Sequence, residues 1–340
     1  MDLNPSDEQQ QLIDAFCAFY TKESPGERVR AVEPLGHDPE LWSRLRELGA
    51  LDMAVDEGAG GWGASLLDLA LVAEQHGRHV APAPLVEAQV AARLLSRADT
   101  APAGEALGRA LAGGLTTVAL HPPRAGVLTL VPSGAVADEV VFVDGGRLWC
   151  MTIGDGARPV ANIGSMPVAD VTVDGAAEMA SGDAAAALFE LALDEWLVLM
   201  ANAMVGLGSR ALEMGVEYTR ERHAFGVPIG SFQAVAHGLA DAATALEGGR
   251  LLAREAAWSA GEDPGRRRQL AALACGFATD AARQASDRSL HYHGGYGFML
   301  EYDVQLYFRR ATAWPAVFGE PATMYARGSA ERLLSAGGEG

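Results

Sequence analysis

The chain has 340 residues, 49% of them hydrophobic and 21% charged, a balance that suits a globular protein with two or three domain-sized units and a substantial core. Lys and Arg total 26 against 44 Asp and Glu, and the formal charge of -18 disfavours nucleic acid and anionic membrane as partners, while a local field can still hold an anionic ligand. The longest apolar runs are broken by charge, as in Leu191-Ala-Leu-Asp-Glu-Trp-Leu-Val-Leu-Met200, so no membrane insertion is expected, and an acidic start unlike a secretory signal makes the cytoplasm the expected location.

Residues 1–113 read as a mainly helical domain. In Asp38-Pro-Glu-Leu-Trp-Ser-Arg-Leu-Arg-Glu-Leu48 the side chains of Leu41, Trp42, Leu45 and Leu48 share one helical face. Asp38 suits the N-cap, Pro39 the first helical position, and Gly49 the stop. A glycine-rich loop follows over 52–63. Helix resumes over 65–76 and breaks at Pro82 and Pro84, and two further apolar-periodic segments lie near 85–95 and 105–111. Residues 114–182 read as a shortened β domain, with β-branched segments at 116–120, 126–131, 140–143, 147–153 and 169–173. Residues 183–334 read as a four-helix-type bundle. Leu193, Trp196, Leu197, Met200, Met204 and Leu207 recur at helical spacing in a helix that runs to Arg222. Ser231 suits the N-cap of the next helix; others are expected over 266–293, 303–313 and 321–334, with a disordered tail at 335–340. The fold class is therefore mainly α with a small β domain. Cys17, Cys150 and Cys275 are far apart with no CxxC pair, and read as structural thiols.

Three motifs carry chemistry. Gly58-Ala-Gly-Gly-Trp-Gly63 formally fits G-x-G-x-x-G, but no buried strand precedes it and no strand with an acidic end follows, so it reads as a loop between helices. Arg222-His-Ala-Phe-Gly-Val-Pro-Ile229 puts an Arg fork at a helix end, where it suits a phosphate or, equally, the last helical carbonyls. His291-Tyr-His-Gly-Gly-Tyr-Gly-Phe298 carries a double glycine, either a simple C-cap or a turn that lets a ligand approach the backbone. His291 and His293 have no carboxylate or Cys cluster beside them, so no metal is expected.

Taken with Ser231-Phe-Gln233 and Arg309-Arg310-Ala311, the last two motifs resemble the C-terminal signature of the acyl-CoA dehydrogenases, flavoenzymes that desaturate acyl-CoA thioesters. The resemblance spans nearly the whole chain, strongest over 218–310 and weakest through the β domain. It implies an acyl-CoA dehydrogenase-like fold and FAD as cofactor. It implies that Arg222 and Phe225 contact the FAD of a neighbouring subunit, that Gln233 meets the same nucleotide, and that Gly294 and Gly295 let the adenosine-pyrophosphate approach. His291 stands where the family usually has Gln, and can still hydrogen-bond.

On the ring side the pattern departs from the family. The family's Thr-Glu-Pro-x-x-Gly-Ser segment corresponds here to Ala119-Leu-His-Pro-Pro-Arg-Ala-Gly-Val127, which has no hydroxyl. Shortened chains of this kind resemble the smaller subunits of actinobacterial heteromeric (heterotetrameric) acyl-CoA dehydrogenases, of the type that acts in steroid degradation. There a homologous full-length acyl-CoA dehydrogenase subunit completes the flavin site. Sterol side-chain and other bulky acyl-CoA thioesters are the implied substrates, and an electron-transfer flavoprotein the implied acceptor.

The implied chemistry is α-proton abstraction by a carboxylate with β-hydride transfer to flavin. One family register for the base lands at Phe318, two residues before Glu320; the other falls at Trp196, beside Glu195. Glu320 is the candidate catalytic residue, although an acid before Pro321 equally suits a helix start. Since neither carboxylate is in register, the working base is expected on the partner. A non-catalytic structural subunit, and a family-fold enzyme without redox chemistry, stay open as alternatives.

Overall fold

The computed structural model describes residues 3–337, and it opens on a capping box. Ser6 Oγ accepts from the Gln9 N–H at 3.2 Å, and Gln9 Oε1 accepts from the Ser6 N–H at 3.1 Å, which starts α1 (Asp7–Glu23). After α2 (Gly26–Ala31), Asp38 caps α3 (Pro39–Glu47) by accepting from Glu40 and Leu41 N–H, both at 3.0 Å. Then come α4 (Leu66–Arg78), α5 (Leu85–Arg97) and α6 (Ala101–Ala112).

The strands are β1 (Thr116–Val118), β2 (Val127–Val131), β3 (Glu139–Asp144), β4 (Arg147–Thr152), β5 (Ala157–Pro159), β6 (Ala169–Thr172) and β7 (Ala177–Ser181). They form a four-stranded sheet of order β1-β3-β4-β7 and a three-stranded sheet of order β2-β6-β5. Leu128, Val131, Val140, Phe142, Met151 and Val171 fill one core shared by both sheets. β5 and β7 were not expected from the sequence. The rest is α7 (Gly182–Glu221), the hairpin β8 (His223–Ala224) and β9 (Val227–Pro228), α8 (Gln233–Glu262), α9 (Arg267–His293), α10 (Val304–Ala313) and α11 (Pro321–Gly337). The architecture is mainly α with a small β part.

Two expectations are corrected. Ser231 does not cap α8: it lies in a 3-10 turn, its Oγ donates to Pro228 O at 2.7 Å, and Phe232 takes the cap position. Of the expected tail, residues 335–337 continue α11, and 338–340 lie outside the described residues.

The chain packs as two compact units. One comprises Met1–Arg30, Ala70–Ala81 and Leu197–Gly340. Within it, α4 and α7 cross at backbone contact. A Cβ on Gly77 would lie 1.8 Å from Ala203 O, and one on Gly206 1.8 Å from Glu74 O, so both positions need glycine. Arg78 clamps Glu213 with two bonds of 2.7 Å across the same crossing. Tyr20 and His76 are buried in this unit, 3.1 Å apart from Oη to Nδ1.

The other unit comprises Ala31–Leu69 and Pro82–Trp196. Its α5 is buried from Leu85 through Leu95. Two polar side chains of that stretch satisfy loop carbonyls: Gln89 Nε2 donates to Ala50 O at 2.7 Å, and Arg93 Nη1 to Ala54 O at 3.3 Å and Ala64 O at 3.2 Å. The thiols are free. Cys150 and Cys275 are buried, which pushes each up to about 12. Among the described residues no helix is long and apolar enough to cross a membrane.

Candidate functional site

Where α7 ends, the chain reverses in a two-residue hairpin that returns Ile229 N–H to Arg222 O at 2.8 Å. Phe225 and Gly226 form its tip with φ of +54° and +83°, the left-handed turn whose twist matches a hairpin. The conformation is strained for phenylalanine, yet its ring is 96% exposed and, among the described residues, has its one aromatic contact with Phe232, edge-on at 6.3 Å. The Arg222 side chain is exposed and has no hydrogen bond or ion pair among the described residues. It is therefore not used to cap the α7 carbonyls. Gln233, the first residue of α8, is exposed and likewise without a side-chain partner among the described residues.

α9 ends on Gly294, whose φ of +60° favours glycine, and a 3-10 turn follows over Gly294–Phe298. A Cβ on Gly294 or on Gly295 would meet nothing within 4 Å, whereas one on Gly297 would lie 2.5 Å from Leu290 O. The space over the glycine pair is thus open, while Gly297 is needed for packing. His291 is exposed, and among the described residues its one ring contact is with Tyr292, centroids 5.9 Å apart.

Tyr218, with two motif residues for which the sequence predicted no contact, Tyr292 and His293, brings these parts together. His293 is buried, stacks on Tyr218 at 4.1 Å, and donates from Nδ1 to Ser289 O at 2.7 Å. That stack ties the end of α7 to the end of α9, and it gives His293 a packing role. Tyr292 Oη reaches Ala234 O at 3.5 Å and sits where a Cβ on Gly238 would be, 2.1 Å away, so the end of α9 also lies on the start of α8. Arg222, Phe225, Gln233, His291, Gly294 and Gly295 are thereby gathered at one end of the helical unit. That end offers an unpaired guanidinium, an open glycine turn and exposed polar side chains, which is what a phosphate-bearing nucleotide needs.

Glu320 is not brought to this cluster. It is exposed, precedes α11, and accepts from Arg283 Nη1 at 2.7 Å. Arg283 lies ten residues before His293 on α9, about 15 Å along the helix. The other register falls in the second unit. Glu195 is 2% exposed, and its Oε1 is shared by Arg93 Nε at 3.1 Å and Arg97 Nη1 at 2.8 Å. Trp196 is fully buried and donates from Nε1 to Glu87 at 3.4 Å.

Comparison with known proteins decides the family. Residues 6–121 match the acyl-CoA dehydrogenase N-terminal domain, and residues 189–329 the acyl-CoA dehydrogenase C-terminal domain. Acyl-CoA dehydrogenase IpdE2 of Mycolicibacterium smegmatis is 32% identical over 332 residues, 96% of this chain and 99% of that protein. The chain belongs to the acyl-CoA dehydrogenase family.

Among solved structures in this family, the ChsE4-ChsE5 complex of Mycobacterium tuberculosis superposes with a TM-score of 0.86 at 27% identity, covering 98% of this chain and 99% of the matched one. The Tcur3481-Tcur3483 steroid acyl-CoA dehydrogenase gives 0.88, also at 27% identity, over 97% of this chain and 99% of that chain. The stretch between the two domain matches, residues 122–188, holds β2 to β7.

Proposed function

We propose that this chain is one subunit of a heteromeric, FAD-dependent acyl-CoA dehydrogenase that desaturates a bulky acyl-CoA thioester, with a full-length homologous subunit completing the flavin site. The observation that carries the reading is the nucleotide-side end of the helical unit: Arg222 unpaired and exposed, beside an open Gly294–Gly295 turn. Arg222 would hold a phosphate oxygen there, Gln233 and His291 would hydrogen-bond the nucleotide, and the glycines would admit it to the backbone. FAD, when bound, supplies the two-electron acceptor for the β-hydrogen.

The ring side does not match in the same way. Between Ala119 and Val127, the Ala119 N–H donates to Val141 O at 2.9 Å, and Arg124 and Val127 exchange backbone bonds of 2.9 and 3.1 Å. Those donors serve the fold and are not free to tune a flavin ring. A site with one side furnished calls for a second chain. Exposed apolar side chains near the same end, Phe225 at 96%, Phe298 at 71% and Leu300 at 72%, are what such a chain would cover. The structural relatives ChsE4-ChsE5 and Tcur3481-Tcur3483 are each named as a pair. A steroid-type acyl group and an electron-transfer flavoprotein as acceptor belong to the same proposal.

Sedimentation of the chain with and without a co-expressed full-length homologue tests the partnership. A defined complex is expected; a monodisperse monomer at micromolar concentration that gains no larger assembly would contradict it. Glu320, exposed and bound to Arg283, has the surroundings of a helix-start acid and not those of a desolvated base. Glu320→Gln in the complex should leave turnover within about tenfold, a barrier change of about 1.4 kcal/mol. A loss of several orders of magnitude at unchanged FAD content would return Glu320 to the chemistry.

A further inference from the structure

β7 runs into α7 with no linking residue: Ser181 ends the strand and Gly182 begins the helix, at a φ of +61° that favours glycine. The strand and the first turns of the helix are thereby two walls of a groove. The link from α5 to α6, Arg97 to Pro102, is the third wall. All three lie in the second compact unit. The groove holds about 720 Å³, the volume of a site for a small organic ligand. Neither the nucleotide-side residues nor Glu195 and Glu320 line it.

Its walls are hydrocarbon. Met179, Leu188 and Leu191 line it together with Ala184 and Ala187, at the spacing that keeps the α7 residues on one face of the helix. β7 carries a bulge here. Leu148 pairs with Ala180 and Trp149 with Glu178, so Met179 has no partner on β4. A bulge re-aims the side chain of its extra residue, and a methionine adapts to the shape of what it meets. Ala184 and Ala187 are exposed, and larger side chains at these two positions would fill the groove.

The polar groups of the groove suit an uncharged ligand. Arg97 is held by Glu195 at 2.8 Å and faces Asp56 at 4.0 Å, and Glu178 faces Arg147 at 3.5 Å. Asp99 has no ion pair among the described residues, so the uncompensated charge is negative. It repels a carboxylate or a phosphate, which disfavours an acyl-CoA in this place. Thr100 Oγ1 donates to Met179 O at 2.9 Å and keeps its lone pairs to accept; Ser181 Oγ has no bond among the described residues. Either hydroxyl can receive the proton of an alcohol.

We propose that this groove binds an uncharged, largely hydrocarbon alcohol, its apolar body on Met179, Leu188 and Leu191 and its hydroxyl on Thr100 or Ser181. The proposal stands independently of the acyl-CoA reading above.

The probe is 4-(1-pyrenyl)butanol, an uncharged polycyclic alcohol whose fluorescence reports apolar surroundings. Its charged match is 4-(1-pyrenyl)butanoic acid. Titrated into the full chain, the alcohol should saturate a single site. The acid should bind about tenfold more weakly or worse, because its carboxylate must be desolvated beside Asp99. Asp99→Asn should narrow that gap and leave the affinity for the alcohol unchanged. Ala187→Phe places a ring in the groove and should weaken the alcohol by about tenfold or more, at an unchanged unfolding temperature.

If that variant fails to fold, Ala184→Phe, on the same face, decides. No saturable binding of the alcohol, equal affinity in the folded phenylalanine variant, or an acid that binds as tightly as the alcohol would each overturn the proposal. So would loss of the site on adding a full-length homologue, which would make the groove a contact for the partner.

Discussion

Arg222→Ala should lower the affinity of the assembled complex for FAD by one to two orders of magnitude. A charge-assisted bond from a guanidinium to a phosphate contributes about 1.5–3 kcal/mol. Arg222 has no competing partner among the described residues, so its removal leaves no buried charge and no broken ion pair to confuse the result. The fold should survive, because the backbone bonds of Arg222 to Tyr218 and Ile229, both 2.8 Å, do not depend on its side chain. Arg222→Lys should fall between the two, keeping the charge and losing the fork. Fluorescence of released FAD, titrated against the complex, gives the dissociation constant. An unchanged value would mean that Arg222 faces solvent in the assembly.

Acid should weaken the helical unit through His76. The ring is buried, its Nδ1 is hydrogen-bonded to Tyr20 Oη at 3.1 Å, and it stacks on Trp314 at 5.9 Å. Burial, with a smaller contribution from His79, lowers its pKa from 6.5 to about 3. The unfolded chain therefore binds a proton that the folded chain refuses throughout that window. Stability is complete above pH 6.5 and is lost as the pH falls toward 3, by about 1.4 kcal/mol per pH unit. His79, lowered mainly by burial, acts in the same direction. Urea unfolding midpoints at a series of pH values measure the slope. A variant that removes the pair, Tyr20→Phe with His76→Leu, should show a slope shallower by about one proton; an identical slope would mean that His76 titrates freely in the fold.

Much of this architecture was readable where the signal is local. Asp38 and Pro39 start α3 as their chemistry predicts, because a cap depends only on residues within one turn. The early strands were legible through Val and Thr. β5 and β7 were not: Ala157-Arg-Pro159 and Ala177-Glu-Met-Ala-Ser181 contain no β-branched residue, and they are strands because β6 and β4 pair with them. Ser231 misled for a related reason, since the turn before it offers Pro228 O as a better partner than the helix N–H groups.

The site divides in the same way. Arg222, Phe225, Gln233 and the glycine pair were legible through a family motif. The stack of Tyr218 on His293 and the Tyr292 contact, which bring them to one end of the unit, join positions far apart in sequence. Nor could spacing show that Glu320 is taken by Arg283, or that Glu87 meets Trp196.

The central claim is that this chain furnishes the nucleotide side of a flavin site that a different subunit completes. The most direct measurement is the ratio of FAD to protein, from flavin absorbance after gel filtration, for the chain alone and for the chain co-purified with a full-length homologue. The account predicts little FAD on the isolated chain and about one FAD per heterodimer in the complex. Full flavin occupancy on the isolated chain would contradict it.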